Sequence, residues 1–480
     1  MEKIKNFLFK NTNTRQTFAK NTFWLFFGDI IGRILKLIVV VFATRTLGVE
    51  GWGIFSYALA FVSLFFVFGD IGINTFITRE LSNNNTDRYQ YLSASLFFKL
   101  VLLTASLIVA VLCVPYFGTI ALEMKLVIVL SLLAFSDSLR EFVFSVNRSF
   151  EKMEREAFSK ILMNSIITVL GIALLIKKAD PLSLAIAYAI GSIIANVFML
   201  STLRKELAKI NWKFSKKTFK VIFNFTLPFI ALSLSAILFS IDSIMLGQMQ
   251  GAVAVGLYAA GQRLVQFLAI IPVFIGISIF PIMSKNESDV EASTRIFEKI
   301  MLLVIMIGLP IALGGFIFSA KIMLLIFGSA YQTGGPVLGV LMVSVLAVFP
   351  NIILTNIIYT KNLQKRFIVA TIIGVVFNIL LNLYLIPRYG AVGAALATVA
   401  AQLIILGISW HRLKQFFTFS IIPKLGKVFI ANTIMAIMII LCEQFGIYFL
   451  YTILIAIISY IATLRTLRDP LFMEMLAIIR

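Results

Sequence analysis

Charge is what this chain has least of. Only 13% of its 480 residues are Asp, Glu, Lys or Arg, about half the share of a soluble globular protein, which excludes a water-exposed fold for most of the chain. There are two cysteines, Cys113 and Cys442, each inside an apolar run, so neither a disulfide framework nor a metal site is expected. Histidine occurs once, as His411. No Gly-rich lysine loop, His-Glu-x-x-His or Gly-x-Ser-x-Gly is present, so ATP-driven or hydrolytic chemistry has no visible apparatus. The basic leader with Lys3, Lys5, Lys10, Arg15 and Lys20 enters the first apolar run without a small-residue cleavage site. That run is expected to remain as a helix.

What is abundant is apolar. Hydrophobic residues make up 60% of the chain and its mean hydropathy is +0.99, which predicts an all-α integral membrane protein. The net charge of +20 sits in short segments between apolar runs, the topological mark of a membrane protein rather than of nucleic-acid binding. Apolar runs predict about fourteen transmembrane helices. The first four cover Asn21 to Leu47, Trp52 to Thr78, Tyr89 to Phe117 and Ile120 to Asn147; the seventh and eighth cover Thr218 to Gly247 and Val253 to Met283. With the N-terminus inside, most of the 42 Lys and Arg fall in cytoplasmic segments and helix ends. Arg33, Lys36 and Arg263 remain within membrane helices, and both termini are cytoplasmic. Outer turns such as Gly48 to Gly51 and Arg388 to Ala391 are too short for extracytoplasmic catalysis.

The first predicted span is the anomaly. It carries Asp29, Arg33 and Lys36 at i, i+4 and i+7, on one helix face. Each mid-membrane charge costs roughly 2.5 to 3.5 kcal/mol on insertion scales. The face should therefore border a wet, polar cavity, although an Asp29 to Arg33 pair with Lys36 snorkelling is the simpler reading.

Two sets of six helices resemble one another. Gly53-Ile54-Phe55 matches Gly256-Leu257-Tyr258, each opening the second helix of its set, and Phe150, Lys152 and Phe158 match Tyr359, Lys361 and Phe367. Equal helix counts with matching order predict a parallel repeat about an axis along the membrane normal. The domains expected are 1–213, 214–415 and a two-helix remainder, 416–480.

Several stretches then carry a family resemblance. Thr44-Arg45-Thr46-Leu47-Gly48-Val49-Glu50-Gly51-Trp52-Gly53-Ile54-Phe55, Gly69-Asp70-Ile71-Gly72, Asp242-Ser243-Ile244-Met245-Leu246-Gly247 and Ile386-Pro387-Arg388-Tyr389-Gly390-Ala391-Val392-Gly393 resemble the oligosaccharide flippases of the polysaccharide biosynthesis family. That superfamily also holds the lipid II flippases and the multidrug and toxin extrusion transporters. The resemblance implies a V-shaped, two-lobed protein of the cell membrane that moves a polyprenyl-diphosphate-linked glycan to the outer leaflet by alternating access. Its partners would be that glycan lipid and the membrane lipids, with the protein a monomer. No cofactor is implied beyond possible coupling to a sodium or proton gradient.

A diphosphate cargo needs cations in a cavity of low dielectric. Arg33 and Lys36 meet that need on the first helix and Arg263 on the eighth, and depth along each helix puts Arg33 and Arg263 near the midplane. They are expected to clamp the diphosphate. Gln262 and Gln266 flank Arg263 and either bond sugar hydroxyls or satisfy neighbouring helices. Asp29 is a candidate for coupling, or for competing with the substrate for Arg33. Asp70, expected near Arg79, Asp137, expected to pair within Asp137-Arg140-Glu141, and Asp242 are candidate gate residues. Pro228, Pro272, Pro281, Pro310 and Pro350 predict bends in the second set of helices. A drug or cation exporter of the same superfamily is the nearer rival, and a membrane glycosyltransferase or polymerase the more distant one. Neither rival suits three mid-membrane cations and minimal outer loops.

Overall fold

A computed structural model describes residues 13–82, 88–117, 120, 123–209, 216–233, 238–276, 289–360, 364–415 and 418–479. Among them the regular elements are all helices, nine of which are long and apolar enough to cross a membrane. The chain divides into two compact units, residues 1–259 and 260–480.

The first unit is built on α1 (Thr14–Phe66). Its start is capped by Asn13, whose side chain accepts from the Gln16 amide at 2.8 Å. Gly48 divides it at φ 68, a conformation that costs an L-residue about 1–2 kcal/mol and glycine nothing. The arms before and after that turn run roughly 50 and 27 Å at 1.5 Å per residue. The longer arm packs on α5 (Met153–Lys177) through small residues. A Cβ at Gly28 would stand 2.6 Å from the Ala157 Cα, and one at Gly32 3.0 Å from the Asn164 Nδ2. Both glycines serve close helix packing, as their small-xxx-small spacing predicts.

The second arm does not continue to Thr78 as the apolar run suggests. It ends in a 3-10 turn at Val67–Gly69, Asp70 takes a non-helical conformation, and Gly72 lies at φ 90 before α2 (Ile73–Ser82) begins. The Asp70 carboxylate holds the new start, accepting from the Asn74 amide at 3.3 Å and from its Nδ2 at 2.6 Å. Then follow α3 (Arg88–Cys113), α4 (Met124–Ser149), α5 and α6 (Pro181–Thr202). Asp180 caps α6, accepting from the amides of Leu182 at 2.6 Å and Ser183 at 3.1 Å, with Pro181 in the first turn. Next, α7 (Lys216–Ser233) lies against α2 and α3, and Phe76 meets Tyr91 at 5.7 Å and Phe225 at 5.2 Å between ring centroids.

The proposed repeat leaves a physical trace inside this unit. After α8 (Leu238–Gln250) the chain turns at Gly251 with φ 84, and α9 (Ala252–Leu268) begins. Gly251 stands 203 positions after Gly48, as Gly256 does after Gly53 and Ala252 after Val49. These equivalents touch each other. A Cβ at Gly53 would run into the Ala252 carbonyl oxygen, and a Cβ at Gly256 into the Val49 carbonyl oxygen. Each glycine lets one backbone rest on the other.

In the second unit, α10 (Val290–Ile317) packs on α12 (Gly335–Val343) and α13 (Val345–Thr360), with the short α11 (Ser319–Phe327) between α10 and α12 in sequence. The long α14 (Gln364–Leu413) covers α12 and α13 and turns at Gly390, φ 54. Two apolar helices pair with each other, α15 (Gly426–Gln444) and α16 (Phe449–Thr466); α15 packs on α10, and Tyr460 of α16 donates to the Met306 carbonyl of α10 at 2.7 Å. A last helix, α17 (Pro470–Ile479), is beyond what the apolar runs predicted. Pro310 and Pro350 lie inside continuous helices, while helix α7 runs through Pro228; Pro281 lies outside the described residues. Turns at Gly48, Gly72, Gly251 and Gly390, each with positive φ, come in addition to these prolines, and α9 ends at Leu268, one turn before Pro272.

Candidate functional site

The charged face of α1 is the place to build from. Asp29 reaches across to α5, where the Lys160 Nζ stands 2.8 Å from its Oδ1; the Arg33 Nη2 is 4.0 Å from its other oxygen. Lys160 also bonds Glu156 at 2.9 Å, one turn earlier on α5. Glu156, only 1% exposed, takes a two-bond fork from Arg148 on α4, at 2.7 Å from Nε and 2.6 Å from Nη2. Arg148 in turn lies 3.9 Å from Glu141. Arg33, Asp29, Lys160, Glu156, Arg148 and Glu141 thus form a ladder of alternating sign across three helices. A second tie, Lys20 to Glu154 at 3.2 Å, joins the start of α1 to the start of α5.

This ladder changes the reading of α1. The short partner of Asp29 is Lys160, 131 residues away, so the local Asp29 to Arg33 pair is the looser of the two. The Arg33 side chain stays 36% exposed, and Lys36 is exposed one turn further on. Nearby charges of opposite sign reduce the cost of holding these groups out of water.

The other carboxylates gather on a second set of elements. Asp70, at the break after α1, lies 3.8 Å from Lys99 on α3, whose side chain is 0% exposed. It does not meet Arg79, which is exposed, lies 3.9 Å from Glu80 and rests over the Phe225 ring. Lys99 stands eleven residues into the span Arg88–Tyr116, so it joins Arg33, Lys36 and Arg263 as a cation at depth. Asp137 pairs with Arg140 at 2.9 Å, as their i, i+3 spacing predicts, and accepts from Ser192 on α6. Asp70, Asn74, Asp137, Arg140 and Glu141 border a cavity of about 480 Å³ inside the first unit.

Asp242 is fully buried on α8 and accepts from the Tyr258 hydroxyl of α9 at 2.7 Å. Further along α9, in the second unit, Arg263 donates to the Gln266 side-chain oxygen at 3.0 Å, while Gln262 is half-buried one position earlier. Gln266 therefore orients the arginine. Asn382 donates to the Asn378 side-chain oxygen one turn earlier on α14, at 3.2 Å. His411 is exposed near the end of α14. No cluster of His, Cys, Asp or Glu among the described residues has the makings of a metal site.

Sequence reasoning passed over Lys160, Glu156, Arg148 and Lys99. A local signal existed for the first two, an i, i+4 acid and base at the start of an apolar run. Lys99 carries no such local signal, since its partner Asp70 lies on another element.

Comparison with known proteins places this architecture. A family model described as "Polysaccharide biosynthesis protein" matches residues 18–287, more than half of the chain. The chain belongs to the polysaccharide biosynthesis protein family. A second model, MatE, matches residues 229–384. Among relatives of this family member are the "Putative O-antigen transporter" of Shigella flexneri, 26% identical over 398 residues that cover 79% of this chain and 93% of that protein, and the "Probable low-salt glycan biosynthesis flippase Agl15" of Haloferax volcanii, 26% identical over 435 residues, covering 87% and 88%. The fold is that of a solved structure described as "Lipid II flippase MurJ, inward closed conformation", with a TM-score of 0.78 at 20% identity, covering 93% of this chain and 99% of that one. A MATE family multidrug transporter in an inward-facing conformation has the same fold at a TM-score of 0.59 and 17% identity, covering 82% and 94%. This family member is a multi-pass membrane transport protein and not an enzyme.

Proposed function

We propose that this protein is a flippase that carries a polyprenyl-diphosphate-linked oligosaccharide from the cytoplasmic to the outer leaflet of the cell membrane, for surface polysaccharide or glycoprotein assembly. Alternating access between two six-helix lobes, with fourteen spans, both termini cytoplasmic and the protein a monomer, is the mechanism of this reading. The observation that carries it is the state of α1: Asp29 is matched by Lys160 at 2.8 Å, while the Arg33 side chain is 36% exposed and Lys36 is exposed one turn further on. Cations at membrane depth suit an anionic cargo. In the proposal Arg33, Lys36 and Arg263 hold the diphosphate, Gln266 aims Arg263, and Gln262 meets the glycan. The relatives described as an O-antigen transporter and a glycan flippase support the same cargo class.

The test is binding of a polyprenyl diphosphate to the purified full-length protein. Arg33→Ala and Arg263→Ala are each expected to weaken binding by about 10- to 100-fold, the equivalent of one hydrogen bond between charged groups, and to lower glycan export at unchanged protein level. Unchanged affinity in both variants would overturn the reading. The MatE match over 229–384 favours a second reading, an exporter of lipophilic cations. Tighter binding of such a cation than of the diphosphate would select it.

Coupling to a proton or sodium gradient belongs to the same proposal, with Asp29, Asp70, Asp137 and Asp242 as its candidates. Each is neutralised to Asn in turn and transport measured against imposed gradients. The coupling residue is the one whose loss removes the gradient dependence.

A further inference from the structure

Lys160 reaches the charged face of α1 from α5, and the two helices are locked in register around it. Gly28 and Gly32 of α1 lie against Ala157 and Asn164 of α5, and the Thr168 hydroxyl of α5 donates to the Leu35 carbonyl of α1 at 3.0 Å. The Phe144 ring of α4 faces the ammonium, with Nζ 5.8 Å from its centroid. Two carboxylates hold Nζ, Asp29 at 2.8 Å and Glu156 at 2.9 Å. Contacts to α1, to α4 and along its own helix thus fix this lysine, and its N–H groups are directed at acids of the protein itself.

Asp29 is shared between two cations. Its Oδ1 is on Lys160, and its Oδ2 stands 4.0 Å from the Arg33 Nη2, beyond a hydrogen bond. Arg33 is one turn further along the same helix, a spacing at which a carboxylate and a guanidinium can close on each other. The short, charge-assisted bond to the ammonium holds the carboxylate towards α5 instead. Without that ammonium, Arg33 is the cation left beside Asp29, and a carboxylate at membrane depth turns to the charge that matches it. Glu156 loses less, because the fork from Arg148 remains. The absence of Lys160 is therefore felt at Arg33.

We propose that Lys160 is a positioning residue for the diphosphate site: by holding the Asp29 carboxylate, it keeps an internal anion from taking the guanidinium that the cargo's diphosphate needs. The proposal names a control on that site and rests on the flippase reading for its ligand. Lys160 acts through Asp29 and Arg33 and does not touch the cargo. Charge argues the same way as geometry. Arg33, Asp29 and Lys160 together carry one net positive charge, and without Lys160 they carry none, so the set attracts an anion less.

Binding of a polyprenyl diphosphate to the purified full-length protein tests it, with the phosphate-free polyprenol as control. Lys160→Met should weaken diphosphate binding by about tenfold, the effect of one hydrogen bond to a charged group, and Lys160→Arg, which keeps the charge, should restore it. An equal loss for the polyprenol, or wild-type diphosphate affinity in Lys160→Met, overturns the proposal. The decisive variant is Lys160→Met with Asp29→Asn. It should recover most of the lost affinity, because no competing carboxylate remains. A lysine that only holds α1 against α5, or that touches the diphosphate itself, predicts no such recovery, and its absence overturns the positioning role. In an Arg33→Ala background Lys160→Met should add no further loss, and a second tenfold loss there shows that the lysine does not act through Arg33. Thermal unfolding separates loss of binding from loss of fold, and Lys160→Gln, with the same expectation, stands in should Lys160→Met not fold. If Arg33→Ala weakens binding and Lys160→Met does not, the positioning role falls and the flippase reading stands. If neither variant weakens it, both fall.

Discussion

Arg148 holds a carboxylate that is almost entirely out of water, and the fork it makes to Glu156 is the shortest pairing in the ladder behind α1. Replacing it with Met strands Glu156 with Lys160 alone, and breaking a buried pair from one side typically costs about 3–5 kcal/mol. We expect Arg148→Met to lower the unfolding midpoint in mild detergent accordingly, and Arg148→Met with Glu156→Leu to recover most of the loss, since two apolar groups then replace two charges. A double variant as unstable as the single one would show that the fork is not the stabilising element. At this scale the sequence was half legible. Asp29, Arg33 and Lys36 announce a charged face because they lie within eight residues of one another, and Asp137 to Arg140 is local for the same reason. The partners that set their state are Lys160 for Asp29 and Lys99 for Asp70, 131 and 29 positions away. Helix periodicity carries no information about which distant helix lies opposite.

Among the elements, glycine backbone geometry decides where helices stop. Gly53 and Gly256 each meet the other repeat's carbonyl oxygen where a Cβ would stand, so Gly53→Ala and Gly256→Ala should each cost about 1–3 kcal/mol through forced backbone shifts. Reading the unfolding midpoint of each checks this, and wild-type stability in both would show that the helices do not rest on these residues. The start of α6 gives a pH-dependent case. Burial pushes the Asp180 carboxyl up, but the Lys178 ammonium and the Ser183 and Leu182 amides outweigh it and hold the group below its ordinary 3.8. A depressed carboxylate contributes stability that is present above 3.8 and is lost as pH falls through the lower, folded-state value. Asp180→Ala should therefore cost about 0.5–2 kcal/mol at neutral pH, the value of an N-cap. The difference from wild type should close only below pH 3.8, as followed by thermal unfolding against pH. Apolar runs placed most of these helices because length and hydropathy are local. The break at Gly69 to Gly72 escaped them, since an apolar run continues through a turn that only φ reveals.

For the whole molecule, the charge ladder bears on how energy enters transport. Asp29 is held by Lys160 at 2.8 Å, so its charge is matched within the protein. Asp29→Asn is accordingly expected to preserve the dependence of transport on imposed proton and sodium gradients while lowering stability, measured in proteoliposomes and by thermal unfolding. Loss of gradient dependence in that variant would make Asp29 the coupling residue. The family was legible before any coordinates, because motifs such as Gly69-Asp70-Ile71-Gly72 and Ile386-Pro387-Arg388-Tyr389-Gly390 sit where the backbone turns and tolerate few alternatives.

The glycine contact has one more consequence. Gly53 on Ala252 and Gly256 on Val49 are the same contact made twice, with the partners exchanged. That is the isologous pattern of a two-fold homodimer. Two chains of a single repeat would meet through these residues before any fusion joined them. A duplicated chain keeps such a seam only while each half's glycine still admits the other half's carbonyl oxygen.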